Sequence, residues 1–289
     1  MIGMIDIGGG LRGIYTSGLF DYLLDNDIMV NYCFGVSSGS ANILGYVAKQ
    51  RGMSKEFYLE HSFESEFLGV KALVKSGDLV NVEYIYNGLI DCEGENADAF
   101  DIAMANECRY TCVATDSVTA KPRYFTKDDF SRDNLDVLKA ACSLPVATRP
   151  VKIGDRKYYD GGVSDPIPIR KAFADGCDKV IVCITLPRDF RKTKIHWLAN
   201  VLLANHPRIL DNILNMHNFY NNGISELLEL EKEGKVLVVD PRECFGVNTI
   251  KRDKVGMEKL YQLGYSDGKR IEEFVKAARA EEVAKAQVK

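Results

Sequence analysis

Ser37 sits in the string Gly35-Val36-Ser37-Ser38-Gly39, between an apolar run and a helical stretch. A G-x-S-x-G string in that setting is the arrangement of a nucleophile elbow. The turn is too tight for bulky neighbours, so Gly35 and Gly39 flank the serine. It lifts the Ser37 hydroxyl to a helix N-terminus, where the helix dipole and the Ser38 N–H can face developing negative charge. Ser38 and Ser40 are nearby hydroxyls, but neither has glycines on both sides at this spacing.

A second block, Gly8-Gly9-Gly10-Leu11-Arg12-Gly13, follows an apolar run directly. Glycines let backbone approach a ligand closely and adopt positive φ, and the N–H groups of such a turn can hold a negative oxygen. Gly8, Gly10 and Gly13 fit G-x-G-x-x-G, so the loop could hold a dinucleotide pyrophosphate. It could equally be an oxyanion loop, or a plain strand-to-helix turn. The dinucleotide reading demands an acidic residue at the end of the second strand, about 20 residues on. That strand ends Phe34-Gly35-Val36-Ser37, and Asp25 and Asp27 precede it. The demand is not met.

A serine nucleophile needs a base. The histidines are His61, His196, His206 and His217, and the last three fall in a stretch that reads as helix rather than as a strand-end loop. A third block supplies a different candidate. Tyr158-Tyr159-Asp160-Gly161-Gly162 places a carboxylate before two glycines, at a turn where backbone surrounds it. Such an Asp can accept a proton. The same string also reads as an ordinary Asp-Gly turn.

Together the three blocks resemble the patatin-like phospholipases, and the bacterial patatin-like proteins in particular. That family carries a G-G-G-x-R/K-G loop, a G-x-S-x-G elbow soon after, and a D-G-G or D-G-A motif much later. Ala140-Ala141-Cys142-Ser143-Leu144-Pro145 resembles the small-residue block before the aspartate, and Ser40-Ala41-Asn42 also matches. The resemblance covers about residues 1 to 190, with no specific motif beyond Pro187. One departure is Asp165-Pro166-Ile167-Pro168, where many relatives carry Asn before the final Pro. The resemblance implies a three-layer α/β fold and a serine acyl hydrolase of lipid esters, a phospholipase A or lysophospholipase type. Ser37 would be the nucleophile, Asp160 the base, and the N–H groups of Gly9, Gly10 and Ser38 the oxyanion donors. Arg12 would brace the loop, and Gly161 and Gly162 complete the base motif. It implies no cofactor and no metal. The alternatives are a silent lipid-binding or regulatory adaptor of the same fold and, behind it, a dinucleotide-binding protein.

The elements that must position these residues are legible. Met1 to Ile7 and Tyr32 to Val36 are apolar runs suited to buried strands, and Ile14 to Leu24 and Ser38 to Lys49 have helical spacing. Residues 53 to 105 read as mostly helical. Tyr110 to Ala114 and Arg123 to Phe125 read as strands, Asp136 to Ser143 as a short helix, and Val151 to Tyr159 as a hairpin about Gly154-Asp155. Lys179 to Thr185 and Lys235 to Val239 are further strands. Ile195 to Tyr220, Ser225 to Glu233 and Val255 to Lys289 are helical, with Glu272 to Lys289 expected as a solvated surface helix. Alternating strands and helices predict an α/β fold with a mainly parallel central sheet flanked by helices. Residues 1–190 form the expected catalytic core. Residues 191–289 are expected as a helical C-terminal part packed on or extending the same domain.

Composition bounds the rest. The 289 residues are 46% hydrophobic and 27% charged, as in an ordinary globular protein. Lys plus Arg is 37 and Asp plus Glu 41, a net charge of -4, which argues against a nucleic-acid partner. The apolar stretch Ile195 to Leu203 is too short to span a bilayer, and the N-terminal residues do not resemble a signal peptide. The eight cysteines form no C-x-x-C pair and are expected reduced, in the cytoplasm. Arg188 to Trp197 packs four basic residues beside the one Trp. It reads as a loop leading into a packed helix, with transient membrane-surface contact as the alternative.

Overall fold

The computed structural model describes residues 1–84, 98–131, 135–194 and 206–287. The strands are β1 (Ile2–Asp6), β2 (Tyr32–Val36), β3 (Arg109–Asp116), β4 (Pro122–Thr126), β5 (Val151–Ile153), β6 (Arg156–Asp160), β7 (Lys179–Cys183) and β8 (Val236–Val239). They form one eight-stranded sheet in the order β5-β6-β3-β2-β1-β7-β8, with β4 paired to β3. Strands β3, β2, β1, β7 and β8 run parallel, while β4, β5 and β6 pair antiparallel.

The central strands are apolar along their length because both faces are covered. Met4 and Cys33 point into one core, with Ile14 and Leu19 from α1 (Ile14–Asp25), Ile43 and Leu44 from α2 (Ser38–Val47), and Leu260. Ile5, Phe34, Val180 and Val182 point into the other, with Ile224 and Leu227. Adjacent residues such as Met4 and Ile5 face opposite layers, as the two-residue strand period requires. The result is helix, sheet, helix.

The remaining described helices are α3 (Met53–Leu59), α4 (Val70–Ser76), α5 (Ala99–Ala105), α6 (Asp136–Ala141), α7 (Ile169–Ala174), α8 (Pro207–Lys232) and α9 (Lys254–Gln287). Two expectations change here. The helical stretches read on either side of Gly223 are one helix over the described residues: Gly223 lies inside α8, where a Cβ would come within 2.9 Å of Ile167 Cδ1. A glycine that looks like a break in sequence is a close-packing position in space. The tail from Glu272 is also not wholly solvated. Ile271, Val275 and Ala278 are buried at helical spacing, while Arg279 to Lys285 are exposed. Residues after 190 complete the fold, since β8 joins the sheet beside β7 and α9 packs along α1.

The strand order reverses at β1: the chain builds outward to β2 and β3, then returns to place β7 and β8 on the other side. In parallel α/β sheets, a crevice opens at the carboxyl ends of the strands at such a point. The loops after β1, β2 and β7 all leave there. Register brings Val36 beside Val113, and Asp160 beside Ala114. Ser37 and Asp160 therefore reach the same rim, one strand apart.

Candidate active site

The elbow is strained in the sense its glycines anticipate. Ser37 has φ 55° and ψ -137°, a region that non-glycine residues avoid at a cost of roughly 1–3 kcal/mol. The surroundings leave no room to relax. A Cβ on Gly39 would sit 2.3 Å from the Asp6 carbonyl oxygen, and one on Gly35 would sit 2.5 Å from Ser40 Cα. Ser37 is the N-cap residue of α2, yet its hydroxyl makes no capping bond. It lines the same two cavities as the Asp160 carboxylate, close enough to favour that carboxyl's ionised form.

Asp160 is 2% exposed and held from several sides. Its N–H donates to the Ser143 carbonyl at 2.8 Å, which is the contact made by the small-residue block. Its Oδ1 accepts from the Gly162 N–H at 2.8 Å, and its carbonyl accepts from the Thr115 hydroxyl at 2.8 Å. Burial raises this carboxyl to about 6, opposed by the Ser37 hydroxyl, the Gly162 amide and the Lys192 ammonium. Gly161 is tight because a Cβ there would lie 2.3 Å from the Val113 carbonyl oxygen. The departure at Asp165 is absorbed locally: its N–H donates to Gly161 O at 2.9 Å and its Oδ2 accepts from Tyr124 at 2.6 Å.

The glycine loop is fixed by groups that sequence reading passed over. Asp6, fully buried at the end of β1, accepts from the Gly8 N–H at 2.9 Å, the Thr16 hydroxyl at 2.7 Å and the Asn42 amide at 3.2 Å. Burial also pushes its carboxyl up to about 6. Thr185, just past β7, donates to the Gly8 carbonyl at 2.6 Å. The Thr249 carbonyl accepts from Leu11 N–H at 3.1 Å. Of the three amides expected to serve an oxyanion, Gly9 N–H is engaged, donating to the Ser38 hydroxyl at 3.1 Å. Gly10 N–H and Ser38 N–H have no acceptor among the described residues. Leu11 and Gly13 are buried, and Arg12 reaches the Thr249 hydroxyl at 3.2 Å.

Two cavities meet at Ser37 and Asp160. One, of about 130 Å³, is walled by apolar side chains including Leu11, Phe57, Phe67, Leu68 and Val80. The other, of about 180 Å³, is the more polar of the two and sets Arg12, Thr185, Lys192 and Tyr220 among apolar residues such as Leu186 and Met216. No described histidine lines either one. His206 instead packs edge-on to Tyr159, His217 lies within α8, and His196 is outside the described residues. The basic stretch divides too: Arg188 is tied to Asp240 and Glu231 while Lys192 lines the polar cavity, and Ile195 to Trp197 lie outside the described residues.

A family model described as patatin-like phospholipase matches residues 8–173, more than half of the chain and all three motif blocks. The chain belongs to the patatin-like phospholipase family. Membership places it in a lipolytic hydrolase family with an α/β fold, in agreement with the sheet above. A second model, a domain of unknown function (DUF6363), matches residues 206–277, which include α8, β8 and much of α9. Among curated proteins, the uncharacterized protein YjjU of Escherichia coli (strain K12) is 25% identical over 250 residues, covering 83% of this chain and 67% of that protein. Among solved structures, VipD from Legionella pneumophila aligns with a TM-score of 0.45 at 12% identity, over 93% of this chain and 66% of that one. The chain thus spans about two thirds of the length of these two proteins. No helix among the described residues is long and apolar enough to cross a membrane.

Proposed function

We propose that this patatin-like protein is a serine acyl hydrolase that cleaves lipid esters with a Ser37–Asp160 dyad. The observation that carries the reading is that the strained Ser37 and the buried Asp160 carboxylate both line the place where the two cavities join. The apolar cavity suits an acyl chain and the polar one its alcohol. Ser37 Oγ attacks the ester carbonyl carbon as its proton passes to Asp160. The tetrahedral oxyanion accepts from the Gly10 and Ser38 amides, which face it without reorganisation. The C–O bond to the alcohol then breaks, and the alcohol leaves with the proton from Asp160. Water follows the reverse course: Asp160 takes its proton, its oxygen attacks the acyl-serine, and the acid leaves as Ser37 recovers its proton. Arg12 adds positive potential beside the loop and braces it through Thr249.

Hydrolysis of a p-nitrophenyl acyl ester tests this. Ser37→Ala is expected to keep the circular dichroism of the parent and to lose hydrolysis to the background rate. Activity within a few-fold of the parent would remove the assignment. A parent that itself cleaves no ester would favour the adaptor reading instead.

A further inference from the structure

The polar cavity carries more positive charge than the dyad requires. Arg12 and Lys192 both line it, and the one carboxylate among its lining residues is Asp160. Arg12 Nε is buried with no hydrogen-bond partner, and so is the hydroxyl of Tyr220, whose side chain is 2% exposed. Lys192 Nζ lies 4.3 Å above the Tyr220 ring and forms no ion pair among the described residues. Its backbone is pinned to Asn221 of α8, with the N–H donating to Asn221 Oδ1 at 2.9 Å and the carbonyl accepting from Nδ2 at 3.0 Å. The cluster is therefore built rather than a loose surface lysine. Burial and the neighbouring Arg12 push the Lys192 ammonium down to about 8, against the pull of Asp160. Two half-buried cations, one with a buried unpartnered Nε, and an orphan buried hydroxyl around one space make it favourable for an anion.

We propose that Arg12, Lys192 and Tyr220 form an anion subsite that takes a phosphate carried by the alcohol part of the ester. The proposal rests on the hydrolase reading for its placement. The apolar cavity receives the acyl chain on one side of Ser37, so the anion lies on the leaving-group side. A phosphate fits the donor set because it offers several oxygens and up to two charges to a point-charge ammonium, a guanidinium and a hydroxyl. Lys192 lies outside the matched patatin-like region, and Tyr220 lies inside the matched domain of unknown function. Head-group selection would then be the contribution of that C-terminal domain, made through α8 and the strand of chain docked on it.

Two arms test the subsite on the full chain. In the first, kcat/KM is compared for oleoyl glycerol phosphate and oleoyl glycerol in the same neutral detergent micelles. The parent is expected to prefer the phosphate ester by about tenfold or more, the discrimination a charge-assisted contact can give. Lys192→Met and the near-isosteric Tyr220→Phe should each reduce that ratio several-fold. The ratio is the readout because losing Lys192 also perturbs Asp160, which affects both substrates alike. A parent ratio near one, or variants that lower both rates in parallel, would overturn the proposal and leave the cations as supports of the oxyanion. In the second arm, calorimetry measures glycerol phosphate binding to Ser37→Ala, with and without Lys192→Met. Binding weakened roughly tenfold by the second substitution supports the subsite, whether or not any ester is cleaved. Inorganic phosphate bound as tightly as glycerol phosphate, with a parent ratio near one, would mark a free-phosphate site and overturn it.

Discussion

Asp160 concentrates a conflict between function and stability. In a buried site its carboxyl is pushed up to about 6, so the folded protein holds that proton more readily than the unfolded chain does. The contribution of this group to stability is therefore full at pH below the ordinary carboxylate range, falls as pH rises through that range to about 6, and stays low above it. Asp160→Asn mimics the protonated form. It should stabilise the protein at pH 8, by on the order of 1–3 kcal/mol, and give little change at pH 4. Its kcat should fall by about 10²–10⁴, because an amide cannot take the serine proton. For the parent, kcat/KM should decline as pH drops through about 6. Thermal melts of parent and variant at the two pH values, with a pH–rate profile, check this; an Asn variant less stable than the parent at pH 8 would contradict it. The Ser37 and Asp160 candidates are legible because each lies within a few residues of its own glycines, although the two blocks are far apart in the chain. Asp6 is not, because it closes an apolar run and its three bonds reach Gly8, Thr16 and Asn42 in other elements. Nothing local marks Thr185, Lys192 or Tyr220 either, since their meaning lies in what the sheet order brings beside them.

Among elements, the strand–elbow–helix unit of β2, Ser37 and α2 does the positioning. Its geometry depends on α2 crossing β1 at backbone distance. Gly39→Ala would drive a Cβ to 2.3 Å from the Asp6 carbonyl oxygen, which is backbone and cannot swing aside. The helix must shift from the strand, carrying Ser37 off Asp160 and the Ser38 amide off the oxyanion. The expected result is a loss of about 2 kcal/mol or more in urea unfolding and of at least tenfold in kcat. A variant with parental stability and rate would show that the elbow does not need this close approach. The strand and helix bounds of this unit could be read from apolar spacing alone, because both faces of β2 are buried and its run is unbroken. The break expected between Tyr220 and Ser225 fails for the opposite reason: the closeness of Gly223 to Ile167 is a tertiary fact that a helical pattern does not contain.

At the scale of the whole molecule, the three motif blocks and the C-terminal segment share one sheet and one layer of packed helices. The segment supplies the edge strand β8, and α9 buries Ile271 and Val275. Asp267 of α9 accepts from buried Tyr15 at 2.8 Å, and Tyr261 donates to Asp21 at 2.8 Å. Thr249 holds the glycine loop directly. A chain ending at residue 190 would keep every motif but expose the α1 face and the β7 edge. It should be insoluble or lack a cooperative melt by near-UV circular dichroism, whereas a cooperative, ester-cleaving fragment would refute this dependence. The motifs end near Pro187, so sequence placed the chemistry in the first part; only the sheet order and the α1–α9 packing reveal what the rest supports.

The central claim is that Ser37 is a nucleophile made reactive by Asp160. A fluorophosphonate probe reports this directly, because it forms a stable bond only with an activated hydroxyl. After labelling the purified chain at pH 8 and mapping the adduct by peptide mass spectrometry, the modification should fall on Ser37, and Asp160→Asn should label far more slowly. An adduct on Ser38, Ser40 or another residue, or labelling that proceeds unchanged in Asp160→Asn, would contradict the account.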